Sequence, residues 1–147
     1  MPEKRVRLIE EPWDMTSALQ VREVVFIQGQ GVPRELEVDG LDPQCTHFLA
    51  EVLQDERWVP VGTARLHQVG EAAKAERVAV LDAWRGYGLG AALMEALEAA
   101  ARERGFAEVI LNAQVQVVPF YEHLGYEAEG PEFDEAGILH RAMRRRL

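Results

Sequence analysis

The chain has 147 residues and carries 25 acidic against 16 basic side chains, a net charge of −9. That balance argues against a nucleic-acid partner and leans towards a cationic ligand, while the length suits one domain, residues 1–147, able to bury its own core. A single cysteine, Cys45, excludes an internal disulfide, no Cys/His spacing suggests a metal, no apolar run approaches a membrane span, and the start lacks a signal-peptide core, so a cytoplasmic protein with no membrane partner is expected.

In chain order, Arg5–Glu10 alternates Val6 and Leu8 with charged neighbours and reads as a first strand. Thr16 or Ser17 then suits the cap of a helix whose apolar positions Leu19, Val24 and Ile27 run towards Gly29. Residues 29–43, punctuated by Pro33, Gly40 and Pro43, read as an irregular loop rich in carboxylates, with Glu35, Glu37, Asp39 and Asp42. The β-prone runs 46–53 and 58–69 read as a hairpin, and a turn around Gly70 leads to a strand at 76–81.

Helix 88–104 carries the strongest periodicity. Leu89, Leu93, Ala96, Leu97 and Ala100 share one face, and Glu98 and Arg102 form an i,i+4 pair on the other, before a Gly105 stop. A strand at 107–113, a short helix opened by Pro119 and ended by Gly125, and closing strands at 126–129 and 138–143 complete the order β-α-β-β-β-α-β-α-β-β. Arg141, Arg144, Arg145 and Arg146 read as the solvated face of the last strand. Hairpins mixed with one crossover predict an α/β protein of the α+β kind, whose mixed, mostly antiparallel sheet of six to seven strands has helices on both faces.

Chemistry concentrates at Arg85-Gly86-Tyr87-Gly88-Leu89-Gly90, between a strand and the start of that helix. Alternate glycines leave backbone amides unshielded where the positive end of a helix dipole can meet a diphosphate. The spacing Gly86-x-Gly88-x-x-Ala91 also satisfies a dinucleotide pattern, but it lies past the middle of a short chain without the further βαβ units such a domain needs.

The run 78–90 resembles the first signature of the GCN5-related N-acetyltransferase (GNAT) family: alternate aliphatics ending a strand, then Arg-x-x-Gly-x-Gly/Ala. Pro119-Phe120-Tyr121, with Gly125-Tyr126 four residues later, resembles its second. Residues 21–26, 32–39 and 111–121 are similar to the small bacterial branch that includes the ElaA and YjcF proteins. This resemblance implies the acyl-CoA N-acyltransferase fold, acetyl-CoA as acyl donor, no metal, and a small-molecule or peptide amine as acceptor. It implies that the amides of Arg85, Gly86, Tyr87, Gly88, Leu89 and Gly90 hold the pyrophosphate, that Val78, Ala79 and Val80 pair with the pantetheine arm, and that Phe120 and Gln114 adjoin it. Gln114 departs from the family's usual asparagine.

Direct transfer from a thioester to an amine needs a proton acceptor, donors for the carbonyl oxygen and a proton for the thiolate. By the same resemblance Tyr121 is the candidate acid. Glu76, two residues before Val78, is a candidate base or an arginine partner, and His140 is the other base candidate. Glu35, Glu37 and Asp39 would line the acceptor side and draw in an ammonium group, or simply be solvated. A non-catalytic acyl-CoA sensor and, distantly, a nucleotide-dependent oxidoreductase remain the alternatives, and a homodimer is among the assembly states left open.

Overall fold

A computed structural model describes residues 1–147. Seven strands form one sheet, β1 Lys4–Leu8, β2 Thr46–Gln54, β3 Arg57–Val69, β4 Ala72–Val80, β5 Glu108–Gln114, β6 Glu127–Glu135 and β7 Ile138–Arg146, in the order β1-β2-β3-β4-β5-β7-β6. Only β4 and β5 run parallel, joined by a crossover through α3, Leu89–Glu103. The mixed, mostly antiparallel sheet is therefore as expected. No helix is long and apolar enough to cross a membrane.

Strand alternation sorts the sheet into two faces. Phe48, Ala50, Val52, Leu66, Ala73 and Ala75 pack with Leu89, Leu93, Met94 and Leu97 of α3 in the main core. Burying each such leucine contributes on the order of 2 kcal/mol. On the opposite face Ala79 meets Val21 and Val25 from helix α1, Pro12–Arg22, and its continuation as a π-helical turn, Glu23–Gln28. Along with these apolar contacts that face holds buried charge: Arg22 and Arg65 are 1% and 0% exposed.

Several local readings need correction. Helix α1 begins at Pro12, with the ring at the first helical turn and an extended Glu11 before it; Thr16 and Ser17 are interior, their hydroxyls donating to the Pro12 and Trp13 carbonyls at 3.3 Å. The segment read as irregular contains a short helix, α2 Arg34–Glu37, opened by Pro33, and a 3-10 turn at Asp42–Gln44. Strand β4 starts at Ala72, because small alanines fit beneath α3 although alanine has little β preference. Strand β6 continues past Glu129 to Glu135 through a bulge around Gly130 and Pro131.

Glu98 is not solvent-facing. It is 5% exposed, accepts the Tyr126 hydroxyl at 2.7 Å and binds Arg145 at 2.8 Å, so its partner comes from β7 rather than from Arg102.

Candidate active site

Beyond Ala75 and Leu111 the parallel ladder stops, and β4 and β5 diverge. The split leaves the β5-facing edge of β4 open over Glu76–Val80 and frames a cleft of about 800 Å3. Its walls are Val78, Ala79 and Val80 on one side and Asn112, Ala113 and Gln114 on the other, with Phe120 and Tyr121 of α4, Val118–His123, between them.

A bulge shapes this strand. Arg77 has φ of +55°, and the pairing shifts between Thr63 opposite Ala79 and Arg65 opposite Glu76. One residue is thereby inserted, so Glu76 shares a face with Ala79 rather than with Val78 and Val80, which pack towards the main core. The simple i,i+2 reading of Glu76 is thus overturned by the bulge. Glu76 lines the cleft but meets Arg65 at 3.0 Å, Lys74 at 3.3 Å and His67 at 3.2 Å. Its carboxylate is thus engaged in ion pairs with Arg65 and Lys74 rather than free in the cleft.

The glycine turn closes one end of the cleft. Gly86 and Gly88 have φ of +85° and +76°, a left-handed backbone that a side chain adopts only with strain. Gly88 caps α3 with no side-chain partner, and the first backbone bond of the helix runs from Ala92 to Gly88. The N–H groups of Gly86 through Ala91 therefore have no acceptor inside the protein, an arrangement suited to phosphate oxygens. Lys4 of β1, which sequence reading missed, donates its ammonium to the Tyr87 carbonyl at 2.7 Å and adds a positive charge beside the turn. Arg85 is exposed and paired with Asp82 at 3.0 Å. A Cβ on Gly90 would sit 3.1 Å from the Phe120 ring, so that glycine lets α4 approach α3.

Tyr121 is 7% exposed, packs edge-on against Phe120 and Tyr126, and its hydroxyl makes no hydrogen bond within the protein. Burial pushes its pKa above the ordinary phenol value, so it stays a proton donor across neutral pH. His140, also on the cleft, donates from Nδ1 to the Ile138 carbonyl at 2.7 Å, and its Nε2 lies 3.5 Å from Glu135, the ring stacked beside Phe133. Glu135 in turn accepts from Asn112 at 3.2 Å. Gln114 reaches across the cleft to Gln30, the two amides exchanging bonds of 2.8 and 3.3 Å, and also accepts from Gln116.

The acidic segment behaves differently from expectation. Glu37 is 2% exposed and bound to Arg22 and Arg77 at 3.0 and 2.8 Å. Asp39 is held by Arg65 at 2.6 Å, which keeps its carboxyl well below the usual range. Glu35 is exposed and does not line the cleft. Their negative charge is thus neutralised or directed elsewhere, and the half-exposed carboxylate on the cleft wall is Glu135. Sequence reading gave neither Asn112 nor Glu135 a role, since only the pairing of β7 with β5 on one side and β6 on the other brings them together.

A family model described as an acetyltransferase (GNAT) domain matches residues 27–147. YjcF of Bacillus subtilis, described as an uncharacterized N-acetyltransferase, is 42% identical over 130 residues, which make up 88% of this chain and 90% of that protein. Among solved structures, an acyl-CoA N-acyltransferase from Pseudomonas aeruginosa has a TM-score of 0.80 at 28% identity, covering 99% of both chains. ElaA of Escherichia coli has the same score at 26% identity, again over 99% of both.

Proposed function

The chain belongs to the GNAT acetyltransferase family, and from that premise we propose that it is a single-domain N-acetyltransferase moving an acetyl group from acetyl-CoA to a primary amine by direct attack within a ternary complex. The observation that supports this most is the split between β4 and β5, with free amides at one end and the Tyr121 hydroxyl within. Acetyl-CoA would supply an activated thioester carbonyl. The N–H groups of Gly86 to Ala91, with Lys4 beside them, would take the diphosphate, and the open edge of Val78–Val80 would pair with the pantetheine amides as an added strand. An N–H of that edge, near Val78 or Ala79, would polarise the carbonyl oxygen.

Tyr121 would then deliver its hydroxyl proton to the departing sulfur. The amine proton falls to His140 through Nε2, directly or by way of a water, with Glu135 stabilising the positive charge that develops. Glu76 serves better as an anchor for Arg65 than as a base. Glu135 and Asn112 would also receive an ammonium-bearing acceptor, whereas Glu37 and Asp39 shape that wall through their arginine partners.

The test is a screen of primary amines, polyamines and peptide amino termini with acetyl-CoA, reading free CoA thiol against an amine-free control. Amine-dependent release of one CoA per acetylated product supports the proposal. Tight acetyl-CoA binding with no release for any amine would replace it by the sensing role.

A further inference from the structure

On the face of the sheet opposite α3, the start of β2, the end of β3 and the middle of β4 bring together three side chains that play no part in acetyl transfer as described. Thr46 pairs with Leu66, so Cys45, the residue before it, falls opposite His67. Arg65 pairs with Glu76, which sets Glu76 on the same face. One donor atom from each of Cys45, His67 and Glu76 lies within 4.8 Å of the other two. We propose that these three residues bind a divalent metal ion of zinc-like chemistry.

Four observations support the assignment. Bonds of about 2.0 to 2.3 Å in a tetrahedral site put donors roughly 3.3 to 3.8 Å apart, a distance small side-chain rotations reach from the present arrangement. His67 Nδ1 is buried and makes no hydrogen bond, although Glu76 Oε1 is only 3.2 Å away. The carboxylate is near but misaligned, and a buried unpaired nitrogen is costly unless something takes its lone pair. Sulfur, imidazole nitrogen and carboxylate oxygen together suit Zn2+, and the thiolate discriminates against Mg2+ and Ca2+.

The charges around the site lie in ion pairs, with Arg22 on Asp42 and Arg77 on Asp39 as well. Arg65 and Lys74 contact Glu76, and Asp39 and Asp42 in turn contact Arg65. Binding would proceed as Cys45-SH plus M2+ giving a sulfur–metal bond and one released proton, with His67 neutral and Glu76 ionised. The Cys45 thiol makes one bond in the protein, to the Leu41 carbonyl at 3.3 Å, so taking up the ion displaces little. Three protein ligands leave a fourth position for water or an incoming donor, and Glu76 is the one of the three that also lines the cleft.

The experiment uses tag-free protein stripped with a chelator. Titration with Co2+ should give one equivalent with a thiolate-to-cobalt charge-transfer band and the intense visible bands of four-coordinate cobalt, both removed by Zn2+. Zn2+ should raise the melting temperature and Mg2+ should not. Cys45→Ser should abolish the charge-transfer band, and Cys45→Ser and His67→Gln should each weaken Zn2+ binding by about tenfold or more in competition with a chromophoric chelator. No charge-transfer band in the parent, or equal Zn2+ affinity in Cys45→Ser, overturns the proposal. If Cys45→Ser fails to fold, the His67→Gln comparison decides by the same criterion. None of these readouts depends on acetyl transfer.

Discussion

At the scale of single residues, the cleft places strong demands on two positions. Tyr121 is buried along its ring, yet its hydroxyl has no partner in the protein and the residue lines the cleft, a position that packing alone does not require. Tyr121→Phe should lower kcat by roughly tenfold to a thousandfold at unchanged acetyl-CoA affinity, the low end being favoured because thiolate leaves fairly well unaided. Since that hydroxyl bonds nothing in the protein, the melting temperature should stay nearly constant, and full activity in the variant would pass the proton donor's role to water. Gly88 carries the second demand. Gly88→Glu combines left-handed strain, about 1 to 2 kcal/mol, with a carboxylate at the turn proposed to take the diphosphate, so calorimetry on the folded variant should show acetyl-CoA binding lost. Unchanged affinity would place the diphosphate elsewhere.

At the scale of elements, the segment from α2 to the Asp42–Gln44 turn stays in position through ions rather than through apolar contact. Arg22 on α1 holds Glu37 and Asp42, Arg65 on β3 holds Asp39 and Asp42, and Arg77 at the β4 bulge reaches the Leu36 and Glu37 carbonyls. Breaking a buried pair on one side strands the other charge. Arg22→Ala should therefore cost about 3 to 5 kcal/mol, a fall in melting temperature on the order of 10 °C for a chain of this size. Denaturant unfolding gives the same quantity independently, and a loss below about 1 kcal/mol would mean that Arg65 and Arg77 take over the carboxylates. The network also explains why the acidic segment adds little negative field to the cleft: its charges face arginines.

For the whole molecule, the same pairing sets the response to acid. Hydrogen bonds from Arg7 hold Asp14 low and those from Arg65 hold Asp39 low. In Asp42 and Glu51 burial pushes upward, but arginine contacts prevail and the net shift is again downward. A carboxylate whose folded pKa is depressed contributes stability above its unfolded value, near 3.8 for Asp, and loses it as pH falls through the folded value. Burial also lowers His47 from 6.5, so the fold favours its neutral form and that contribution begins to fade as pH drops below about 6.5. Stability should accordingly decline gently as pH drops below about 6.5 and steeply below about pH 4. Replacing His47 by Gln should remove the first decline and leave the second, and a flat profile down to pH 4 in the parent would contradict the His47 assignment.

The succession of strands and main helices along the chain, the long α3 and the glycine turn were all legible in the chain, because hydrophobic period and glycine placement are local properties that do not wait for a partner. Two signatures read from neighbouring residues also identified the family. The rest depended on contacts between distant segments. The Arg77 bulge shifts every side chain before it relative to those after it, and no pattern within β4 announces it. Glu98 reads as exposed until β7 brings Arg145 and the start of β6 brings Tyr126 against it. Glu37 and Asp39 read as free charge until α1 and β3 supply arginines, and Cys45, His67 and Glu76 converge only through strand register. Local sequence determined the main elements and the left-handed glycine turn before α3. Register and the meeting of opposite charges, which exist only once remote strands are side by side, decided which carboxylates remain available for chemistry.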